Sequence, residues 1–148
     1  MLYSPEINKA LKLVFEAHAG QFDKSGLPYV LHPIVVASQM TDITSTVVAL
    51  LHDVIEDTKF TADDLLALGF SKEVVDAVVL LTHSSDESYM DYINRIKQNP
   101  VARVVKLADL KHNSDTSRFD GEVPPAVLNK IKNCYEPARK IIEEYSGL

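Results

Sequence analysis

Apolar residues in this chain recur at three- and four-residue spacing almost throughout, the period of helices that bury one face. Ser4 can cap a first helix with Pro5 at its first position, and Ile7, Ala10, Leu11, Val14 and Phe15 then share a face up to a stop at Gly20. The stretch 21–31, with Gly26 and Pro28, reads as a loop that delivers His32 to a second helix beginning at Pro33. A third helix is expected from about Thr44. Thr61 and Asp64 have the spacing of a capping box for a short fourth helix that Gly69 ends, and Ser71 opens a fifth running through Leu81. Residues 89–98, Val101 to about Ser114, and Pro125 to Tyr145 complete the series. No period-two alternation flanks an Asn-Gly or Asp-Gly turn, so the expectation is an all-α bundle of about seven to eight helices. Residues 1–148 are expected to form a single domain without repeat or linker.

Composition narrows the function classes. With 46% hydrophobic and 24% charged residues the chain can bury a core that also holds a polar site. A net charge of -6 argues against a nucleic-acid polymer as partner, because a phosphate backbone calls for clustered Lys and Arg. A small anionic ligand remains compatible with that charge wherever a bound cation supplies local positive potential. Cys134 is the one cysteine, so no intrachain disulfide can form. There is no signal-like segment and no apolar run of about 18 residues, so a cytoplasmic location and no membrane partner are expected.

The densest chemistry lies in Leu50-Leu51-His52-Asp53-Val54-Ile55-Glu56-Asp57-Thr58, where an apolar lead-in carries four proton- or metal-binding groups toward the interior. A buried carboxylate without a partner is costly, and a cation is the natural compensation. His32 before Pro33, and Asp109 in Val104-Val105-Lys106-Leu107-Ala108-Asp109, lie in apolar stretches of their own. Two imidazoles and two carboxylates suit a divalent first-row metal such as manganese, iron or zinc. Such an ion, with open positions, acidifies water and polarises a phosphoryl oxygen. Glu56 and Asp57 then stand as acid/base candidates. Asp109, Asn113 and Thr116 recur at i, i+4 and i+7 and would line one wall of a continuous helix.

In that order and spacing, His32, the His52-Asp53 doublet followed by Glu56-Asp57, and Asp109 with His112-Asn113 and Thr116 resemble the HD superfamily of metal-dependent phosphohydrolases. Within it the chain is most similar to the Rel/SpoT-type domain that removes the 3′-pyrophosphate of ppGpp and pppGpp, over roughly residues 7–118. Further matching stretches are Ala17-His18-Ala19-Gly20-Gln21 and Lys24-Ser25-Gly26-Leu27-Pro28-Tyr29-Val30-Leu31-His32-Pro33. The resemblance implies His32, His52, Asp53 and Asp109 as ligands of a divalent metal, usually manganese. It implies Glu56 and Asp57 as the groups that handle the attacking water and the leaving oxygen. Lys24, Ser25, Asn113 and Thr116 would contact the substrate, a small-molecule nucleotide or phosphate ester.

Two positions depart from the family. Asp23 and Leu110 stand where these hydrolases usually carry arginines, the first of which packs on the guanine base. The departures keep two other readings open: a hydrolase of another nucleotide or phosphate ester, and a non-catalytic nucleotide sensor that retains the metal site. Among the remaining histidines, His18 is expected as a hydrogen-bonded core residue, His112 as a support of the metal ligands and His83 as a surface group. Cys134 is expected to be a small packed residue.

Overall fold

The computed structural model describes residues 3–148, which form ten α-helical segments and, among the described residues, no strand. They are α1 (Pro5–Ala17), α2 (Leu31–Ser38), α3 (Ile43–Leu51), α4 (Val54–Asp57), α5 (Ala62–Ala67), α6 (Lys72–Leu80), α7 (Tyr89–Ile96), α8 (Pro100–Asn113), α9 (Pro125–Lys130) and α10 (Glu136–Ser146). Only His52 and Asp53 separate α3 from α4, and a π-helical turn, Ile131–Tyr135, joins α9 to α10. With each of these pairs counted once, the described residues form eight helices, within the seven to eight expected.

Most boundaries follow local chemistry. Ser4, Asp42, Ser71 and Ser88 each accept a bond from a first-turn backbone N–H, and Thr61 with Asp64 forms a complete capping box. Gly69, at φ 92°, supplies the left-handed residue that ends the α5 segment. Three details differ from expectation. α1 stops at Ala17, three residues before Gly20, and turns Leu13 rather than Phe15 into the core. α2 begins at Leu31, which places Pro33 inside the first turn; its missing N–H is no loss there, since first-turn N–H groups have no intrahelical acceptor. α8 ends at Asn113, before Thr116, which falls in a separate 3-10 turn (Thr116–Arg118) and off the Asp109–Asn113 face.

The core forms around α3, in which every residue from Ser45 to Leu51 is buried. A helix apolar on all sides has to be surrounded, and α3 packs against α1, α2, α6 and α8. Leu50 and Leu51 are fully excluded from solvent. Truncating either to Ala would cost about 2–5 kcal/mol in transfer energy and cavity formation. Because α2 and α8 also pack on each other, the ends of α2, α3 and α8 meet at one point.

Candidate metal centre and substrate cavity

That meeting point holds four donor atoms. His32 comes from the first turn of α2, His52 and Asp53 from the break between α3 and α4, and Asp109 from the middle of α8. His32 Nε2 lies 3.2 Å from His52 Nε2, 2.9 Å from Asp109 Oδ1 and 3.7 Å from Asp53 Oδ2. His52 Nε2 lies 3.1 Å from Asp53 Oδ2 and 3.6 Å from Asp109 Oδ1. His32, His52 and Asp109 each offer a donor atom within 4.8 Å of the others and could hold a metal ion, and Asp53 Oδ2 adjoins both imidazoles from the side of Glu56 and Asp57. The breaking of the helix at His52-Asp53 is what lets two consecutive residues face the same centre, since neighbours in a continuous helix point about 100° apart.

Each donor is oriented by a partner behind it. His52 Nδ1 is 2.6 Å from the Ala49 carbonyl, which can only accept; the ring proton therefore sits on Nδ1 and the Nε2 lone pair faces the centre. His32 Nδ1 is 2.7 Å from Nδ1 of His112, whose ring stacks on it at 22°. Burial, then the neighbouring His32 and Arg118, pull the His112 pKa down to about 4, so His112 is neutral and can accept the His32 Nδ1 proton. The Tyr29 hydroxyl donates to Asp53 Oδ2. Asp109 receives the Asn113 amide on Oδ1 at 2.8 Å and the buried Lys106 ammonium on Oδ2 at 2.7 Å. Lys106 in turn lies over the Tyr92 ring, 5.1 Å from its centroid.

The electrostatics are those of a cation-binding cage. Burial raises the pKa of both carboxyls, but His52 and His32 outweigh it at Asp53, and Lys106 with the two imidazoles outweighs it at Asp109, holding both below the usual carboxylate range. For His52, burial works against the charged form, and the flanking carboxylates overcome it to hold the imidazole well above its ordinary value. A divalent ion held there would take the place of that proton as the counter-charge. The nitrogen and oxygen donor set matches first-row metals.

Glu56 and Asp57, on α4, stand beside Asp53, with one carboxylate oxygen from each of the three residues within 4.8 Å of the others. The surrounding protein desolvates Glu56 and pushes its pKa up, the His83 N–H at 2.6 Å partly offsets this, and the charges of Asp53 and Asp57 add to the rise. Asp57 is raised by desolvation first and by Asp53 second. Gln21 anchors the Asp57 carbonyl, donating from Nε2 at 2.9 Å.

The centre opens into a cavity of about 660 Å³. Lys24 and Asn113 line it, whereas Ser25 and Thr116 do not. Ser25 is instead held by Asp23, through both its backbone N–H and its hydroxyl, and Thr116 has left the α8 face. Leu110 is buried in the core and absent from the cavity wall, so the residue at this position adds no charge to the pocket. His18 is the expected core histidine, hydrogen-bonded from Nδ1 to Gln21 at 2.9 Å. His83 and Cys134 differ from expectation: both are half-buried in the cavity wall. The wall also contains Phe22, Tyr29, Tyr89, Tyr92, Arg118 and Phe119. Tyr29, three residues before His32, was within reach of sequence reasoning, while nothing in the spacing signals Arg118.

No family model matches the sequence. It is 36% identical over 132 residues to the probable GTP pyrophosphokinase of Mycobacterium leprae, covering 80% of this chain and 16% of that protein. Identity is 32% over 166 aligned positions with the bifunctional (p)ppGpp synthase/hydrolase SpoT of Escherichia coli, covering 99% of this chain and 22% of that one. With the guanosine-3′,5′-bis(diphosphate) 3′-pyrophosphohydrolase of Haemophilus influenzae it is 37% over 115 residues, or 68% of this chain and 17% of the relative. The chain thus spans about a fifth or less of the length of these relatives. A solved structure described as a metazoan ortholog of SpoT that hydrolyzes ppGpp superposes with a TM-score of 0.71 at 23% identity, covering 100% of this chain and 99% of that one, and so shares the fold. The helical bundle and these relatives together make the chain a member of the HD-type family of Rel/SpoT (p)ppGpp-hydrolase-like domains.

Proposed function

We propose that the chain is a manganese-dependent (p)ppGpp 3′-pyrophosphohydrolase, adding water across the bond between phosphorus and the 3′ oxygen to give pyrophosphate and GDP or GTP. The observation that carries this reading is the meeting of His32, His52 and Asp109, with Asp53 against both imidazoles and Glu56 and Asp57 beside it, at the head of a cavity. The bound cation would supply an acidified water and withdraw charge from the phosphoryl oxygens.

The chain's own groups manage the protons and the substrate. Glu56 and Asp57, whose pKa values burial and the neighbouring Asp53 raise above the ordinary carboxylate value, take a proton from the attacking water and return one to the departing 3′ oxygen. The His83 N–H holds Glu56 in place for this exchange. Lys106 and Asn113 keep Asp109 aimed at the cation. Lys24 and Lys130, on the cavity wall, face the phosphates the metal does not engage. The names and activities of the relatives support the substrate assignment.

Pyrophosphate release from ppGpp by the manganese-loaded protein is the direct test. Asp53→Ala should abolish it. Glu56→Gln should retain bound metal yet lose about 10²- to 10⁴-fold in turnover. A metal-loaded protein that leaves ppGpp intact while cleaving another nucleotide would keep the chemistry and replace the substrate.

A further inference from the structure

Away from the metal-binding residues, the cavity wall holds a residue pair whose charges cancel at a place where phosphate binding would require the cation free. Arg118 Nη1 lies 3.1 Å from Asp23 Oδ2, joining the loop before α2 to the 3-10 turn after α8 across the cavity wall. Both side chains are largely buried, 16% and 11% exposed. Asp23 is saturated on its other oxygen: Oδ1 accepts from Ser25 N at 2.8 Å, Ser25 Oγ at 2.5 Å and Leu27 N at 3.1 Å. Burial works against its charged form, but these bonds and Arg118 hold its carboxyl below the ordinary value. Arg118 is held a second time, from Nε to the Asp115 carbonyl at 3.3 Å. The guanidinium is therefore fixed in orientation from both walls.

A phosphate subsite built on this pair would be weak, because Asp23 already neutralises the cation. A planar, immobilised and charge-compensated guanidinium suits a flat heteroaromatic ring instead, since it offers a polarisable face with its orientation already set. Two further rings frame the place: Phe119 follows Arg118 in the chain, and Phe22, 68% exposed although it lines the cavity, precedes Asp23. The other cations of the wall divide accordingly. Lys106 is committed to Asp109, which leaves Lys24 and Lys130 for phosphate. Among the described residues, Arg118 is the one arginine lining the cavity.

We propose that Arg118, locked by Asp23, is the platform on which the nucleobase of the substrate packs, and so determines specificity for a nucleotide over a simple phosphate ester. The assignment rests on the nucleotide reading given above and deepens it. Asp23 acts through Arg118 as its positioning residue.

Equilibrium binding separates the base contact from the phosphate contacts. The metal-loaded protein carrying Glu56→Gln, which suppresses turnover, is titrated with ppGpp and with inorganic pyrophosphate, with and without Arg118→Ala. The expected result is an affinity for ppGpp lower by about tenfold, the size of one lost stacking contact, with pyrophosphate binding unchanged. Equal weakening for both ligands would make Arg118 a phosphate ligand and overturn the proposal, as would no weakening for either. Arg118→Lys keeps the charge and an amine within reach of Asp23 but lacks the planar face. It should behave like Arg118→Ala, and recovery of ppGpp affinity by Lys would overturn the platform role. Asp23→Asn, which leaves Arg118 present but unlocked, should show a smaller loss of the same ligand selectivity. In the turnover assay the Arg118 effect should fall on KM, with kcat largely kept. Pyrophosphate release by protein with Arg118 intact tests the activity itself, so that failure of the base platform and failure of the hydrolase reading are told apart.

Discussion

The donors of the candidate metal centre are oriented by hydrogen-bond partners around them. Tyr29 is the plainest case, a hydroxyl that donates to Asp53 from a ring tilted against both His18 and His32. Tyr29→Phe removes the hydrogen bond and keeps the ring, so packing should survive. Manganese affinity, read by calorimetric titration, should fall by about 10- to 100-fold, the usual effect of removing a ligand's outer partner. A change of less than about twofold would mean that Asp53 is oriented by the helix break alone. Lys106 poses a different problem, since removing a buried ammonium would leave Asp109 without its counter-charge and weaken the fold along with the site.

At the next level, the connection between α6 and α7 holds Glu56, which α4 carries, in place. Arg95, on α7, donates to the carbonyls of Leu80 at 2.7 Å and Thr82 at 2.9 Å and pairs with Glu87 at 2.6 Å. It thereby fastens the turn whose His83 N–H holds Glu56. Hydrogen bonding to Arg95 draws the Glu87 pKa down to about 2, against an ordinary 4.5. A depressed carboxyl stabilises the fold above its unfolded value and loses that contribution as pH falls through the folded one. Arg95→Met should therefore melt below the native chain at neutral pH, with the Glu87 part of the gap shrinking as pH falls from about 4.5 to about 2. Thermal scans across that range check it, and a gap that widened toward acid would contradict the pairing. The same substitution should lower turnover by freeing Glu56, without reducing metal content.

For the molecule as a whole, α2, α3 and α8 supply both the core and the candidate metal ligands, so metal binding there would be coupled to stability. An ion that binds the folded chain alone adds about 2.7 kcal/mol at a hundredfold excess over its Kd, which for a chain of this size raises Tm by roughly 5–10 °C. A chelator should reverse the rise, and a Tm indifferent to metal would argue against the four-ligand centre. The gain depends on pH with a definite sign. The raised pKa of His52 means that in the metal-free fold its proton contributes fully below the ordinary value of 6.5 and is lost as pH rises through the folded value. Metal competes with that proton. The metal-induced rise in Tm should thus grow from about pH 5 to pH 8, and a flat profile would show that the imidazoles are not ligands.

Helix identity, most caps and the roster of chemically capable residues were legible in the linear chain, because periodicity and capping act over three or four residues. The Thr61–Asp64 capping box and the apolar run into His52 are of that kind. Where the helices break was not legible. The interruption at His52-Asp53, the π turn at Ile131–Tyr135 and the end of α8 before Thr116 are set by what each segment packs against. The cross-wall partners were also hidden: His83 reaches Glu56 over 27 residues and Arg118 reaches Asp23 over 95. Such pairs leave no period in the sequence, since only the folding of helices onto one another brings their side chains within hydrogen-bonding distance. Read alone, Asp23 looks like an anion set against a phosphate substrate. Beside Arg118 it is half of a neutral pair, and its meaning for the cavity is reversed.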